Sequence, residues 1–248
     1  MIGVAERENK TSLLKRLTGK LDVMLTVCTH RTIDIDVMQS IMNLAKESRH
    51  SFTWGPVRGD ALIERARNRA ASYFLLECKE DVLLFIDDDV VFEPKDAIKL
   101  IDNVMNGADI CSGVYIQKGV LGKTWVQFDG QEIEFSKTSA MVEVEAVPTG
   151  FLAIKRKVLE KLSGTLPLCH PKTLKFYPFF TPLYTKKSDT WVHLGEDYAF
   201  CYRARESGFK VFLDPSLLLG HKGEYIYNMA DKVRPARQSL DNLAITLK

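Results

Sequence analysis

The sequence holds no cysteine pair at metal or redox spacing: its five cysteines, at 28, 78, 111, 169 and 201, form no CxxC. A zinc ribbon and a thioredoxin-like dithiol are therefore excluded. The apolar settings LTVCTH and ADICSG leave these residues as reduced, small core hydrophobes. Net charge is nearly absent, +2 from 34 Lys+Arg and 32 Asp+Glu, so nothing electrostatic argues for nucleic acid as a partner. No apolar run approaches the roughly 18 residues of a membrane-spanning helix. The opening MIGVAERENKTSLLKRLTGK lacks the apolar segment of a secretory signal. Together these absences predict a soluble, cytoplasmic chain. Internal repeats and composition shifts are absent too, so nothing marks a linker. What is present is 248 residues with 46% hydrophobic side chains. That is enough to bury about three quarters of the unfolded surface around one core without a staple.

Residues 1–20 read as an amphipathic extension, with Leu13, Leu14 and Leu17 at helical spacing. Packing on the domain surface is the default for such a helix; a peripheral contact with membrane or partner is the alternative. Residues 21–224 carry strand and helix patterns in turn, and 225–248 form a mixed tail. VMLTVCT reads as a buried strand that ends in the polar Thr29, His30 and Arg31. A helix over 37–47 follows, with Val37, Ile41, Leu44 and Ala45 on one side. GPVRG is a loop. Asp60 reads as the N-cap of ALIERARNRAASYFLLEC, whose Arg65, Arg67 and Arg69 belong by default to a solvated face. VLLFI is a strand; Pro94 opens the helix KDAIKLIDNVMN and Gly107 stops it. ADICSGVYI and MVEVEAV are further strands, the latter running into PTGFLAIKRKVLEKL. Loops or a short hairpin are expected over 119–140. Residues 163–190 read as a long loop of the kind that serves as a lid or binding loop. GEDYAFCYRARESGFKVFLDP reads as helix, Gly208 stop and strand. The economical fold is α/β: a single domain with a mainly parallel central sheet flanked by helices.

One segment does not fit a plain core strand. In LLFIDDDVVFEP an apolar run meets Asp87, Asp88 and Asp89 and then resumes. Continuous apolar residues mark a strand covered on both faces, and ligand groups gather at the carboxyl ends of such strands. In extended chain Asp87 and Asp89 leave on the same side, about 6–7 Å apart. At an effective dielectric of 20 they repel by about 2–3 kcal/mol. Water at a strand end, protonation, or a shared divalent cation would relieve that cost. Since VVFEP continues apolar, the acids read as interrupting a buried path, which favours a cation. Oxygen-only ligands suit Mg²⁺ or Mn²⁺ and leave places for phosphate oxygens.

FIDDDV resembles the Asp-x-Asp element of the GT-A-fold, nucleotide-sugar-dependent glycosyltransferases, especially the broad family 2-like group. Other segments match in order: the strand ending in THR, the helix with ARNRAA, the turn in VPTGFLAIKRKVLEKL, the helix and strand of GEDYAFCYRARESGFKVFLDP, and GHKG. The match spans roughly residues 21 to 224. Two features depart from it: the opening strand lacks a Pro-x-Tyr-Asn turn, and no acidic base-reading residue stands after the second strand. The resemblance implies a GT-A (Rossmann-like) fold, a UDP- or GDP-type sugar donor, a glycan or other hydroxyl-bearing acceptor, and Mn²⁺ or Mg²⁺. It implies further that Asp89 is a direct metal ligand, that Asp88 faces the ribose, and that Asp87 orients a neighbouring base or basic group.

The remaining candidates are weighed against plainer roles. His221, between glycines, either completes the metal site or is a satisfied loop histidine. Glu196 and Asp197 suit the first turn of a helix through its dipole. The functional reading makes Asp197 the general base that takes the acceptor hydroxyl proton, as in the inverting chemistry the resemblance implies. Arg31 and Arg67 carry guanidinium forks that match a diphosphate, and Thr29 lies in the nucleotide-contacting turn. Thr149 and Gly150 line the donor sugar or form a tight turn. Trp191, His193, Phe176, Tyr177, Phe179, Phe180 and Tyr184 form an acceptor platform or pack a core. An aspartate-dependent phosphotransferase would want a DxDxT-like loop near the start of the domain, and the third residue after Asp89 is Phe92. A nucleotidyltransferase would want a glycine-rich loop after the first strand, and THRTIDID has no glycine. A non-catalytic nucleotide or carbohydrate binder keeps the same fold and stays open.

Overall fold

The structure, a computed structural model, describes residues 19–118, 123–128, 133, 135–136, 140–170, 175–223, 226–228 and 245–246. The extension with Leu13, Leu14 and Leu17 lies outside these residues, as does most of the 225–248 tail. The chain opens with β1 (Asp22–Thr29), α1 (Ile35–Glu47), β2 (Ser51–Trp54), β3 (Val57–Arg58) and α2 (Ile63–Glu77). Then come β4 (Val82–Asp87), β5 (Val90–Val91), α3 (Pro94–Met105), β6 (Ile110–Val114), β7 (Lys123–Thr124) and β8 (Val142–Val144). The second half holds β9 (Phe151–Lys155), α4 (Arg156–Ser163), β10 (Leu183–Lys187), β11 (Thr190–Leu194), α5 (Glu196–Glu206), β12 (Val211–Leu218) and β13 (Gly220–Lys222).

An eight-stranded sheet in the order β2-β1-β4-β9-β6-β12-β8, with β3 also paired to β1, forms the centre. β9 runs antiparallel to both β4 and β6, and β8 antiparallel to β12; the other strands run together. This is a Rossmann-like α/β domain with a mostly parallel sheet. Strand alternation divides the core. On one face Leu83 and Phe85 of β4 pack with Ala66, Ala70 and Phe74 of α2, Val158 of α4 and Phe200 of α5. On the other, Leu84 and Ile86 pack with Val37 and Leu44 of α1 and Leu100 and Val104 of α3. Each fully buried side chain of this size contributes about 1.5–3 kcal/mol. The apolar setting pushes the thiols of Cys28, Cys111 and Cys201 up to about 12, so they are core atoms and not nucleophiles. No described helix is long and apolar enough to cross a membrane.

Helix ends mostly follow their sequence signals. Glu93 and Asp96 form a reciprocal capping box around Pro94, and Gly107 takes φ 130° just after α3. Asp60 departs from its expected place. α2 begins at Ile63 with Leu62 at the cap position, and the buried Asp60 carboxylate instead accepts from Leu62 N and from Arg65. At the far end of α2, Arg156 donates to the carbonyls of Phe74, Leu75, Cys78 and Glu80. Those orphan carbonyls explain why a guanidinium is needed there. The segment expected to be a loop over 163–190 ends differently, with β10 and β11 forming a hairpin over 183–194.

His50 joins three elements at the opposite end of the sheet. Its Nδ1 accepts from Leu21 N at 3.2 Å, and its Nε2 lies 3.2 Å from Asp102 of α3. Arg49 binds the same Asp102 oxygen. Accepting at Nδ1 requires the neutral ring, donating from Nε2. Burial lowers the His50 pKa from 6.5, with Asp102 opposing and Arg49 and Lys20 assisting. The unfolded chain therefore binds the extra proton more readily below that pH. Stability is full above about pH 6.5 and falls as the pH drops toward the folded-state value. His50→Gln is expected to flatten this part of the pH profile in urea titrations between pH 7 and 5. An unchanged slope in the variant would refute the assignment.

Candidate active site

Because β1, β4 and β6 run together and β9 runs against them, three strand ends and one strand start meet at a single sheet edge. Thr29 ends β1, Asp87 ends β4, Tyr115 follows β6, and Thr149 and Gly150 precede β9. The N-terminus of α5 brings Glu196 and Asp197 to the same edge. The acids at 87–89 do not interrupt a buried strand. β4 ends at Asp87, the chain turns at Asp88 and Asp89, and Val90 starts β5, which pairs with β13 in a separate sheet. VVFEP is apolar because Val90 and Phe92 return to the core, packed with Val37, Leu100 and Ile101, with the Phe92 ring 5.1 Å from that of Phe151. The turn is held from both sides, since Asp34 N donates to the Asp88 carbonyl and Lys222 N to that of Asp89.

At the centre lies Arg67, only 3% exposed. The expectation of a solvated face is overturned: its guanidinium gathers three carboxylates from distant parts of the chain. Nη2 donates to Asp87 at 3.0 and 3.2 Å, and Nη1 to Glu196 at 3.0 Å and to Asp197. An ion is buried only when it is paired, and here the pairing supplies the fold with its reason. Both amino nitrogens are thus engaged within the protein. One cation facing three acids leaves excess negative charge. Burial raises the Asp87 pKa despite Arg67, and burial followed by the neighbouring Asp197 raises that of Glu196. Asp197 takes its hydrogen bonds from Arg67 and from the buried Thr149 hydroxyl, 2.6 Å away, on one oxygen, Oδ1.

Gly150 is fixed by close approach. Its N–H donates to the Tyr115 hydroxyl at 3.1 Å and its carbonyl accepts from Asp87 N at 2.9 Å. An added Cβ would run into that hydroxyl and come within 2.8 Å of Asp87 Oδ2. Tyr115 escaped the sequence reading, although its place just past an apolar strand at the ligand-bearing edge is a usable signal. Burial, then Asp87 and Asp197, push its phenol well above its ordinary range, so it stays neutral.

Asp89 has partners of its own. It pairs with Lys118, and its Oδ1 lies 3.6 Å from His221 Nε2. Burial pushes the carboxyl up, but His221 and Lys118 outweigh it and hold the pKa below the ordinary value. His221 Nδ1 donates to the Ile116 carbonyl at 2.7 Å, so Nε2 is the ring nitrogen that faces Asp89. Arg67 holds both oxygens of Asp87, while Asp89, past the turn, has Lys118 and His221 as its partners. Among the described residues no group of three or more His, Cys, Asp or Glu side chains converges as a metal shell. Asp89 and His221 offer one carboxylate and one imidazole, a donor pair that suits a divalent cation completed by oxygens of a ligand. Lys118 is a second residue that the sequence reading missed, with no local signal to reveal it.

The other candidates fall into two groups. Asp88 is half-buried, and burial raises its pKa while Thr29 opposes the rise. Thr29 is buried and donates to the Thr32 carbonyl at 2.8 Å; Arg31 is exposed on the following turn. Phe179 and Phe180 belong to the core and not to a platform, with Phe180 stacked on Phe200 at 4.5 Å. Phe176 and Tyr177 are half-buried, whereas Tyr184, Trp191 and His193 stand exposed on the hairpin. A cavity of about 620 Å³ lined by Phe92, Asp96, Lys99 and Leu217 lies beside β5. None of the candidate residues lines it, so converging chemistry places the site and cavity volume does not.

No family model and no curated protein sequence matches the chain. Among solved structures, A197 from STIV superposes with a TM-score of 0.56 at 19% identity, covering 90% of this chain and 97% of that one. An apo UDP-glucose pyrophosphorylase gives 0.39 at 11% identity, covering 84% of this chain and 74% of that chain. The 4-diphosphocytidyl-2C-methyl-D-erythritol synthase from Anaerococcus prevotii gives 0.32 at 11%, covering 58% and 77%. What this chain has in common with A197 is the fold, over nearly the whole length of both.

Proposed function

We propose that the chain is a GT-A-type glycosyltransferase that moves a sugar from a nucleoside-diphosphate sugar, of UDP or GDP type, to an acceptor hydroxyl. The reading is carried by one observation: Asp197, oriented on one oxygen by Arg67 and Thr149, stands at the same sheet edge as the Asp88–Asp89 turn and His221. A carboxylate so held has its second oxygen to accept a proton. Asp197 is the base, deprotonating the acceptor hydroxyl as it attacks the anomeric carbon with inversion. Glu196, with its raised pKa, shares the guanidinium and offers a second polar contact at the reacting centre. Arg67 holds the base and Asp87 in place; its role is positioning, not diphosphate binding.

Thr29, Arg31 and Asp88 bind the nucleoside and diphosphate, Thr149 and Gly150 border the donor sugar, and Trp191 and His193 meet the acceptor. Asp89 and His221 would hold Mn²⁺ or Mg²⁺. When bound, such a cation offsets the charge that grows on the departing diphosphate. Residues 21–224 make up the catalytic domain, with 1–20 an added extension and 225–248 a tail.

The test is a panel of nucleotide sugars with and without Mn²⁺, scored for nucleoside diphosphate release and, by calorimetry, for binding. Release from at least one donor, abolished by EDTA, is the expected result. Failure of every donor to bind in the presence of Mn²⁺ would overturn the proposal.

A further inference from the structure

We infer that the outward face of the β10–β11 hairpin docks an anionic saccharide, a sugar chain bearing carboxylate, phosphate or sulfate groups, as the acceptor. This rests on the glycosyltransfer reading above and narrows its acceptor class. Strand register pairs Tyr184 with His193 and Lys186 with Trp191. Side chains two apart in a strand share a face, so these four stand together. That face looks outward: Tyr184 is 72% and Trp191 69% exposed, and Lys186 and His193 are exposed beside them. The opposite face, with Leu183, Thr185, Val192 and Leu194, is half-buried or buried. The alternation holds up to the last pair before the turn, Lys187 and Thr190, which is exposed, and the core makes no use of the outer rings.

The face is preformed. The Tyr184 and His193 rings lie 5.0 Å apart between centroids, tilted by 44°. Both ends of the hairpin are anchored. Before it, Phe180 N donates to the buried Asn68 at 2.6 Å and the Phe180 ring stacks on Phe200. After it, the buried Leu194 leads straight into Gly195 and α5. Aromatic faces of this kind cover the apolar faces of sugar rings while polar edges stay wet.

Charge selects the saccharide class. Among the described residues 175–194 three lysines, Lys175, Lys186 and Lys187, all exposed, stand against one acid, Asp189. Asp189 lies 3.5 Å from Lys186, both groups exposed, and such a pair is worth about 0–1 kcal/mol, little enough to yield to an incoming anion. Location selects the acceptor over a remote site. His193 precedes Asp197 by four residues, at most about 14 Å of extended chain, so a sugar chain on this face has its end within reach of the base. Exposed Trp and Tyr beside lysine also suit an anionic membrane surface. Continuity with the helix that carries Asp197 favours the saccharide.

The test follows Trp191 fluorescence, calibrated with Trp191→Phe, while the protein is titrated with uronate-, sulfate- and phosphate-bearing oligosaccharides. Neutral maltohexaose and phosphatidylglycerol vesicles are the comparisons. At least one acidic oligosaccharide is expected to bind tenfold or more tightly than maltohexaose. That affinity should drop about tenfold in Trp191→Ala, read by calorimetry, and severalfold in Lys186→Gln, with melting temperatures unchanged. Binding to none of the three acidic classes, or equal binding of maltohexaose, overturns the inference. So does vesicle binding that depends on the same residues in the absence of saccharide binding. Nucleotide-sugar binding in the same preparations separates the two readings. If it persists while the acidic saccharides fail, only the acceptor assignment falls; if it fails while they bind, the transferase reading falls.

Discussion

Asp197→Asn is expected to cut turnover roughly 10²–10⁴-fold, the usual worth of a positioned general base, with nucleotide-sugar affinity changed by no more than a few fold. The substitution is nearly isosteric, and its amide oxygen accepts the Arg67 and Thr149 hydrogen bonds that now fall on Oδ1. What disappears is the capacity to take a proton. A kinetic split of this form, with kcat reduced and donor binding retained, separates a base from a residue that merely holds the site together. Turnover within tenfold of the parent would remove Asp197 from that role. Glu196→Gln, at the next position on the same guanidinium, is the informative companion and is expected to cost less.

The second large effect concerns stability. Arg67→Met should destabilise the fold by roughly 3–5 kcal/mol, the range for removing one partner of a buried ion pair, because three carboxylates then face one another uncompensated. The pH dependence distinguishes this cause from lost packing. Asp87 and Glu196 already have raised pKa values in the folded protein through burial, so the folded state takes up protons before the unfolded chain does as the pH falls. Their contribution therefore improves on acidification toward the unfolded-state values. Removing Arg67 raises those pKa values further, so the deficit of the variant should be largest near pH 8 and shrink toward pH 5. Urea unfolding at the two pH values measures it. A deficit independent of pH would mean that the lost side chain mattered for its volume alone.

Local signals were legible where one segment decides its own fate. The apolar run of β4, the proline that opens α3, and the Gly-Glu-Asp start of α5 all stand where the sequence places them, because period and capping chemistry are contained within a few residues. Arg67 was illegible for the opposite reason. Beside Arg65 and Arg69 nothing local tells which arginine is buried; its partners come from residues 87, 196 and 197. The acid turn was illegible because VVFEP stays apolar, and nothing in one dimension says that the chain turns at Asp88 and Asp89 before Val90 and Phe92 re-enter the core. Asp60 shows how a cap-like residue two positions early is claimed by Arg65. In LYTKKSDTWVHL the alternation and the Ser188–Asp189 turn do signal a hairpin, with Ser188 at φ 54°, but flanking prolines and lysines argued for loop. Aromatic residues were recognised as a group, while their division between core Phe180 and exposed Trp191 depended on which strand face each occupies.

One reversed strand governs how this edge can move. Since β9 descends between two ascending neighbours, its leading turn abuts the trailing turn of β4, with Ile86 registered on Phe151 and the Asp87 amide held by the Gly150 carbonyl. Sliding either turn by one residue would invert a whole row of side chains. The two sides of the mouth are therefore geared to each other, and any opening must come from the outer segments while this inner jaw travels as one piece.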